Sequence, residues 1–129
     1  MVIWDTQSAV TGTRRIRNIL ERNEEAKALL RRIGEAERGI LTLGRREYTV
    51  RNTLIYNRGI DPVNQSRTDW KLWLPAGDLR RQALEELHDT PAAGHKGFQK
   101  TKELMLRHCW WRGISSDIRD MSAVVLHVN

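Results

Sequence analysis

The sequence predicts a mostly helical α+β protein with an N-terminal helical arm at residues 1–44, a small antiparallel β-sheet at 45–77 and a three-helix bundle at 78–129. Three observations carry that expectation. Apolar residues step at helical intervals as far as Ile40, β-branched and aromatic runs take over from Glu47, and helical stepping returns after Asp78.

In the arm, Ile16, Leu20, Leu29, Leu30, Ile33, Ala36 and Ile40 recur on one helical face behind Thr13, a candidate N-cap. Asn23 and Gly34 are weak points that divide this stretch into shorter helices, and residues 1–12 carry no periodicity and read as a lead-in. The interleaved Arg14, Arg15, Arg17, Arg22, Lys27, Arg31 and Arg32 with Glu21, Glu24 and Glu25 read as a solvated face rather than a DNA-reading helix.

The sheet is predicted from Tyr48 and Val50, then Thr53-Leu54-Ile55-Tyr56, then Trp70-Lys71-Leu72-Trp73-Leu74, separated by Asn52, Asn57-Arg58-Gly59 and a polar loop after Asp61. Pro75-Ala76-Gly77 ends it, and Asp78 caps a helix burying Leu79, Ala83, Leu84 and Leu87. Gly97 precedes a second helix, with Phe98, Thr101, Met105 and Cys109 in register. A third starts near Ser115 or Ser116, with Asp117 in its first turn, and buries Ile114, Ile118, Met121 and Val125.

Composition narrows the function classes. No apolar run is long enough to cross a bilayer, and the N-terminus has no leader character, so the expected setting is intracellular and, for a basic chain, nuclear. The single cysteine, Cys109, excludes an internal disulfide and a Cys-rich metal site. A net charge of +6 favours polyanionic partners. No nucleophile elbow, phosphate-binding Gly loop or acidic metal-binding constellation is present, so the chain is expected not to be an enzyme.

The segment with most chemical information begins Leu87-His88-Asp89-Thr90-Pro91-Ala92-Ala93-Gly94-His95-Lys96-Gly97. Two histidines flanking a Pro-containing turn converge on one point if the first ends a helix and the second opens the next. Lys100-Thr101, Trp110-Trp111 and Asp117-Ile118 follow. Together these residues resemble the His-His-Cys-Cys zinc-binding N-terminal domain of retroviral and, more closely, gypsy-type LTR-retrotransposon integrases; with Leu54-Ile55-Tyr56, the second short strand and Pro75, which resemble the segment preceding that domain, the resemblance covers about residues 45 to 124 and is more specific in its second half.

The resemblance implies a zinc ion held by two histidines and a Cys-x-x-Cys turn. His88 and His95 stand at the histidine positions, whereas the cysteine positions are Val125 and Val128, so the metal half-site is incomplete. Further donors would have to come from His108, Cys109 or His127. Without the metal, the bundle needs stabilisation from the sheet and N-terminal helices, or its last helix frays.

The tryptophan pair reads as core filling at a helix junction. Lys96, Lys100, Lys102, Arg107, His108 and Arg112 form a candidate basic face for phosphates, with Lys96, Lys100, Arg107 and Arg112 as the nucleic-acid-binding set. The resemblance places the catalytic carboxylates of integrases in a separate domain. The expected role is thus a non-catalytic DNA-binding or assembly module for DNA integration, with homo-oligomer contacts and no membrane. The alternatives are a self-association module without DNA binding and a truncated fragment of a Pol polyprotein.

Overall fold

The computed structural model describes the backbone of residues 10–88 and 95–127, and side chains of residues 14–87 and 99–121. The described elements are helices α1 (Val10–Arg22) and α2 (Glu24–Glu35), a 3-10 turn (Glu37–Gly39), strands β1 (Leu41–Leu43), β2 (Arg46–Arg51), β3 (Leu54–Gly59) and β4 (Lys71–Leu72), and helices α3 (Asp78–His88), α4 (His95–His108) and α5 (Ile114–His127). The α+β, mostly helical class is as the sequence predicts.

Asn23 separates α1 from α2 because its backbone is extended and its Oδ1 accepts the Ala26 amide at 2.9 Å, an N-cap that starts a new helix. Gly34, the other weak point, lies inside α2. Helix α1 starts at Val10, ahead of the expected cap at Thr13.

The helical stepping through Ile40 overshoots. Ala36 is extended at ψ 149, Arg38 and Gly39 take positive φ of 59 and 68, and Ile40 leaves the helix. The chain then forms β1, a strand the sequence reading placed within the arm.

The sheet is an antiparallel meander in the order β1-β2-β3-β4. Leu43 pairs with Arg46 around Gly44 at φ 60. Arg51 pairs with Leu54 around Asn52 and Thr53, both at positive φ of 51 and 65, the backbone of a two-residue turn with primed geometry. A β-branched residue is costly there. Arg17 of α1 holds this turn, donating to Thr53 Oγ1 and to the Asn52 carbonyl.

The run at residues 70–74 narrows to two ladder residues, extended by the Trp73 amide donating to the Ile55 carbonyl at 2.9 Å. One apolar cluster then spans the chain: Ile16, Leu20, Ala26 and Ile33 of the helices, Tyr48, Leu54, Ile55, Leu72 and Leu74 of the sheet segment, and Leu79, Ala83, Leu87, Met105, Trp111, Ile114 and Ile118 of the bundle.

Asp78 is the first residue of α3 rather than its cap: the Gly77 carbonyl accepts the Arg81 amide at 3.1 Å, and Asp78 Oδ1 accepts from Arg81 Nη2. Helix α4 opens at His95, so Gly97 lies in its first turn instead of preceding it. Leu79, Ala83 and Leu87 are buried as expected, with Leu84 half-buried, and so are Met105, Cys109, Ile114 and Ile118. Phe98 and Val125 have side chains outside the described residues.

The bundle is fastened to the sheet. Leu72 forms a parallel bridge with Cys109, and the Trp110 amide donates to the Leu72 carbonyl at 2.9 Å. The sheet therefore supports the α4–α5 junction directly.

Candidate functional site

The α4–α5 junction gives a physical reason for the spacing of Trp111, Gly113 and Asp117. Trp111 is fully buried, and its Nε1 donates to Asp117 Oδ2 at 2.8 Å, so the ring that fills the centre also finds its one acceptor in the first turn of α5. Gly113 at φ 93 turns the chain between them, and its carbonyl accepts the Asp117 amide at 3.0 Å. Trp110 departs from the core expectation. It is half-buried, and the Arg46 guanidinium lies over its ring at 3.6 Å.

His88 is the last residue of α3 and His95 the first of α4, so the backbone puts the two at the ends of consecutive helices, as the expected half-site requires. Their side chains lie outside the described residues, as do those of Val125, His127 and Val128. Among the described residues no group of three or more His, Cys, Asp or Glu could hold a metal ion.

Of the further donors, His108 is exposed at the end of α4. Cys109 is sealed in the core, where burial pushes its thiol up to about 12 against a small opposing pull from Lys71. A thiol with that environment does not present a thiolate. Among the described residues, then, no group of donors completes the four-ligand site that the resemblance implies.

The basic surface divides. Lys100 and Arg107 are exposed, about two turns apart on one face of α4, with Met105 buried on the other and Cys109 buried just past the helix end. Exposed Glu103 sits between them in sequence on the same side and lowers the net charge of that face. The side chain of Lys96 lies outside the described residues. Arg112 is exposed beyond the helix, near enough to Arg46 to oppose its charge.

Arg112 also lines a cleft that sequence reading missed. With a volume of about 340 Å³, it lies between α2, the β1–β2 hairpin and the start of α3. Its walls are Ala28, Leu29, Leu43, Tyr48 and Trp73, and its charges are Arg32, Arg80, Arg112 and Glu25. Arg80 is half-buried, donates from Nε to the Leu74 carbonyl at 2.8 Å, and has its guanidinium 5.4 Å from the Trp111 ring centre. Burial holds it below its ordinary pKa, with Glu25, Asp117 and Tyr48 pulling the other way. No local pattern could have pointed here, because the three arginines come from three separate segments.

No helix among the described residues is long and apolar enough to cross a membrane. Comparison with curated proteins and with solved structures finds no match. A family model described as the integrase zinc binding domain matches residues 75–123, from the end of the sheet segment through α3, α4 and most of α5. That stretch contains His88, His95, the Trp111–Asp117 pair and the basic face of α4, and residues 75–123 of this chain are similar to an integrase zinc-binding domain.

Proposed function

We propose that the chain is a non-catalytic nucleic-acid-binding and assembly module of gypsy-type retrotransposon origin, acting in DNA integration in the nucleus. The match of residues 75–123 to the integrase zinc binding domain carries this reading. The exposed Lys100 and Arg107, on the side of α4 away from its buried face, support it. With Lys96 and Arg112 they would meet phosphates, which position a duplex without reading its sequence. Self-association would accompany binding, and neither strand transfer nor nuclease activity is expected with Mg²⁺ or Mn²⁺.

The test is fluorescence anisotropy of labelled duplexes of unrelated sequence over a salt series. Affinity should fall with salt at a slope of about −0.9 per phosphate neutralised, near micromolar to tens of micromolar at physiological salt. Replacing Lys96, Lys100 and Arg107 together by Ala should weaken all duplexes alike and flatten the slope. Unchanged binding at low salt would leave self-association as the better reading.

A further inference from the structure

We propose that the cleft between α2, the β1–β2 hairpin and α3 binds a nucleoside phosphate at the end of a single strand, with its phosphate on Arg32, Arg80 and Arg112 and its ring against the apolar wall. This rests on the nucleic-acid reading above and assigns it a second contact, which shares only Arg112 with the first.

The cleft has two chemically different halves. Leu29, Leu43, Tyr48 and Trp73 form an apolar and aromatic wall, and three arginines line the cleft from α2, α3 and the α4–α5 junction. Its volume of about 340 Å³ falls at the lower end of small-molecule sites, which run from about 300 Å³ upward. A group that is charged at one end and flat and weakly polar at the other matches both halves.

Arg80 is the fixed point. Its Nε is committed to the Leu74 carbonyl and its guanidinium carbon stands over the rings of Trp73 and Trp111, 6.0 and 5.4 Å from their centres. A guanidinium oriented in this way has donors left beyond Nε and loses little side-chain freedom on meeting an anion. Arg32 and Arg112 are exposed and can close on the same group.

Glu25 sets the sign of the site's response. It accepts the Ala76 amide at 3.3 Å and pulls on Arg80, so it partly offsets the positive charge that a phosphate would meet. Neutralising it should strengthen anion binding, whereas truncating Arg32 should weaken it. Loss of folding cannot produce opposite changes of this kind.

The experiment uses the full chain and an oligothymidylate on the order of ten nucleotides long, 3′-labelled, with and without a 5′-phosphate, read by anisotropy. Thymidine monophosphate, inorganic phosphate and polyglutamate serve as competitors, and a labelled duplex is titrated in parallel. The 5′-phosphorylated strand should bind about tenfold more tightly than the unphosphorylated one, Arg32→Ala should remove that advantage, and Glu25→Gln should increase it several-fold. Competition by thymidine monophosphate but not by inorganic phosphate would show that ring and phosphate are read together.

The Lys100→Ala/Arg107→Ala variant should weaken the duplex and keep the 5′-phosphate preference. A chain that binds duplex without any 5′-phosphate preference would overturn the cleft proposal and leave the nucleic-acid reading standing. A chain that binds neither would overturn both. Displacement of the strand by polyglutamate but not by nucleotides would overturn it in favour of an acidic protein partner.

Discussion

The side-chain amide of Asn57, fully buried in β3, donates to the main-chain carbonyl of Trp110 at 3.0 Å, and its Oδ1 accepts from Nε of Arg46 at 3.0 Å. The same Nδ2 lies 3.4 Å from the Lys71 carbonyl. One amide thus joins β2, β3 and β4 to the α4–α5 junction. Asn57→Ala should cost about 2–3 kcal/mol, because it strands buried partners as well as deleting bonds. Urea unfolding measures it, and Asn57→Asp should not rescue, since a carboxylate cannot donate to Trp110.

Glu47 supplies a pH dependence. Burial alone would raise its carboxyl, but hydrogen bonds from Nε of Arg67 at 2.9 Å and Nε of Arg58 at 2.8 Å, with the charge of both, leave it below its ordinary value. A depressed folded-state pKa contributes stability that is fully present above the unfolded value of about 4.3 and is lost as pH falls through the folded value. Glu47→Gln should therefore destabilise by about 1–2 kcal/mol at neutral pH, with the gap to the parent closing in acid below the ordinary carboxylate range. Unfolding curves of both proteins across that range provide the check.

Thr53 stands at φ 65 in the β2–β3 turn, where a β-branched side chain is strained. Thr53→Gly makes this an Asn-Gly turn, the sequence best suited to the geometry. The melting temperature should rise by an amount equivalent to about 1 kcal/mol even though the bond from Arg17 is lost. A fall would mean that the Arg17 contact outweighs the backbone strain.

Cys109, fully buried with its thiol pushed up to about 12, should be unreactive toward Ellman's reagent at pH 8 in the folded protein and react stoichiometrically in guanidinium. Zinc at millimolar excess should not change that rate. Val125→Cys/Val128→Cys, by contrast, should bind one equivalent of zinc through His88 and His95, and His88→Ala in that background should abolish it. Metal content after gel filtration distinguishes the two proteins.

Much of the fold was legible because apolar stepping is local. Leu79, Ala83 and Leu87, or Met105 and Cys109, declare one helical face, and the structure buries those residues. Element ends were less legible. Ile40 continues a helical step, but the step carries no information about Ala36, whose extended backbone had already ended the helix. Strand β1, three residues long, is too short to show a period, although Gly44 beside Leu-Thr-Leu was a turn signal. At the candidate site, the histidine spacing and the Trp111–Asp117 pattern could be read along the chain. The cleft could not, since Arg32, Arg80 and Arg112 meet only through tertiary packing.

The bridge between Leu72 and Cys109 has a consequence for solubility. Strand β4 is the last of the sheet, and an outer strand exposes unpaired amides and carbonyls that can recruit a second chain. Here Cys109 and the Trp110 amide occupy that side of Leu72. During synthesis the meander is complete before this cover has been made, so a nascent or shortened chain ending ahead of Cys109 presents an open β4 beside the apolar Leu72, Trp73 and Leu74. Such a fragment should aggregate in proportion to its concentration, while the chain that reaches Trp110 carries its own edge protection.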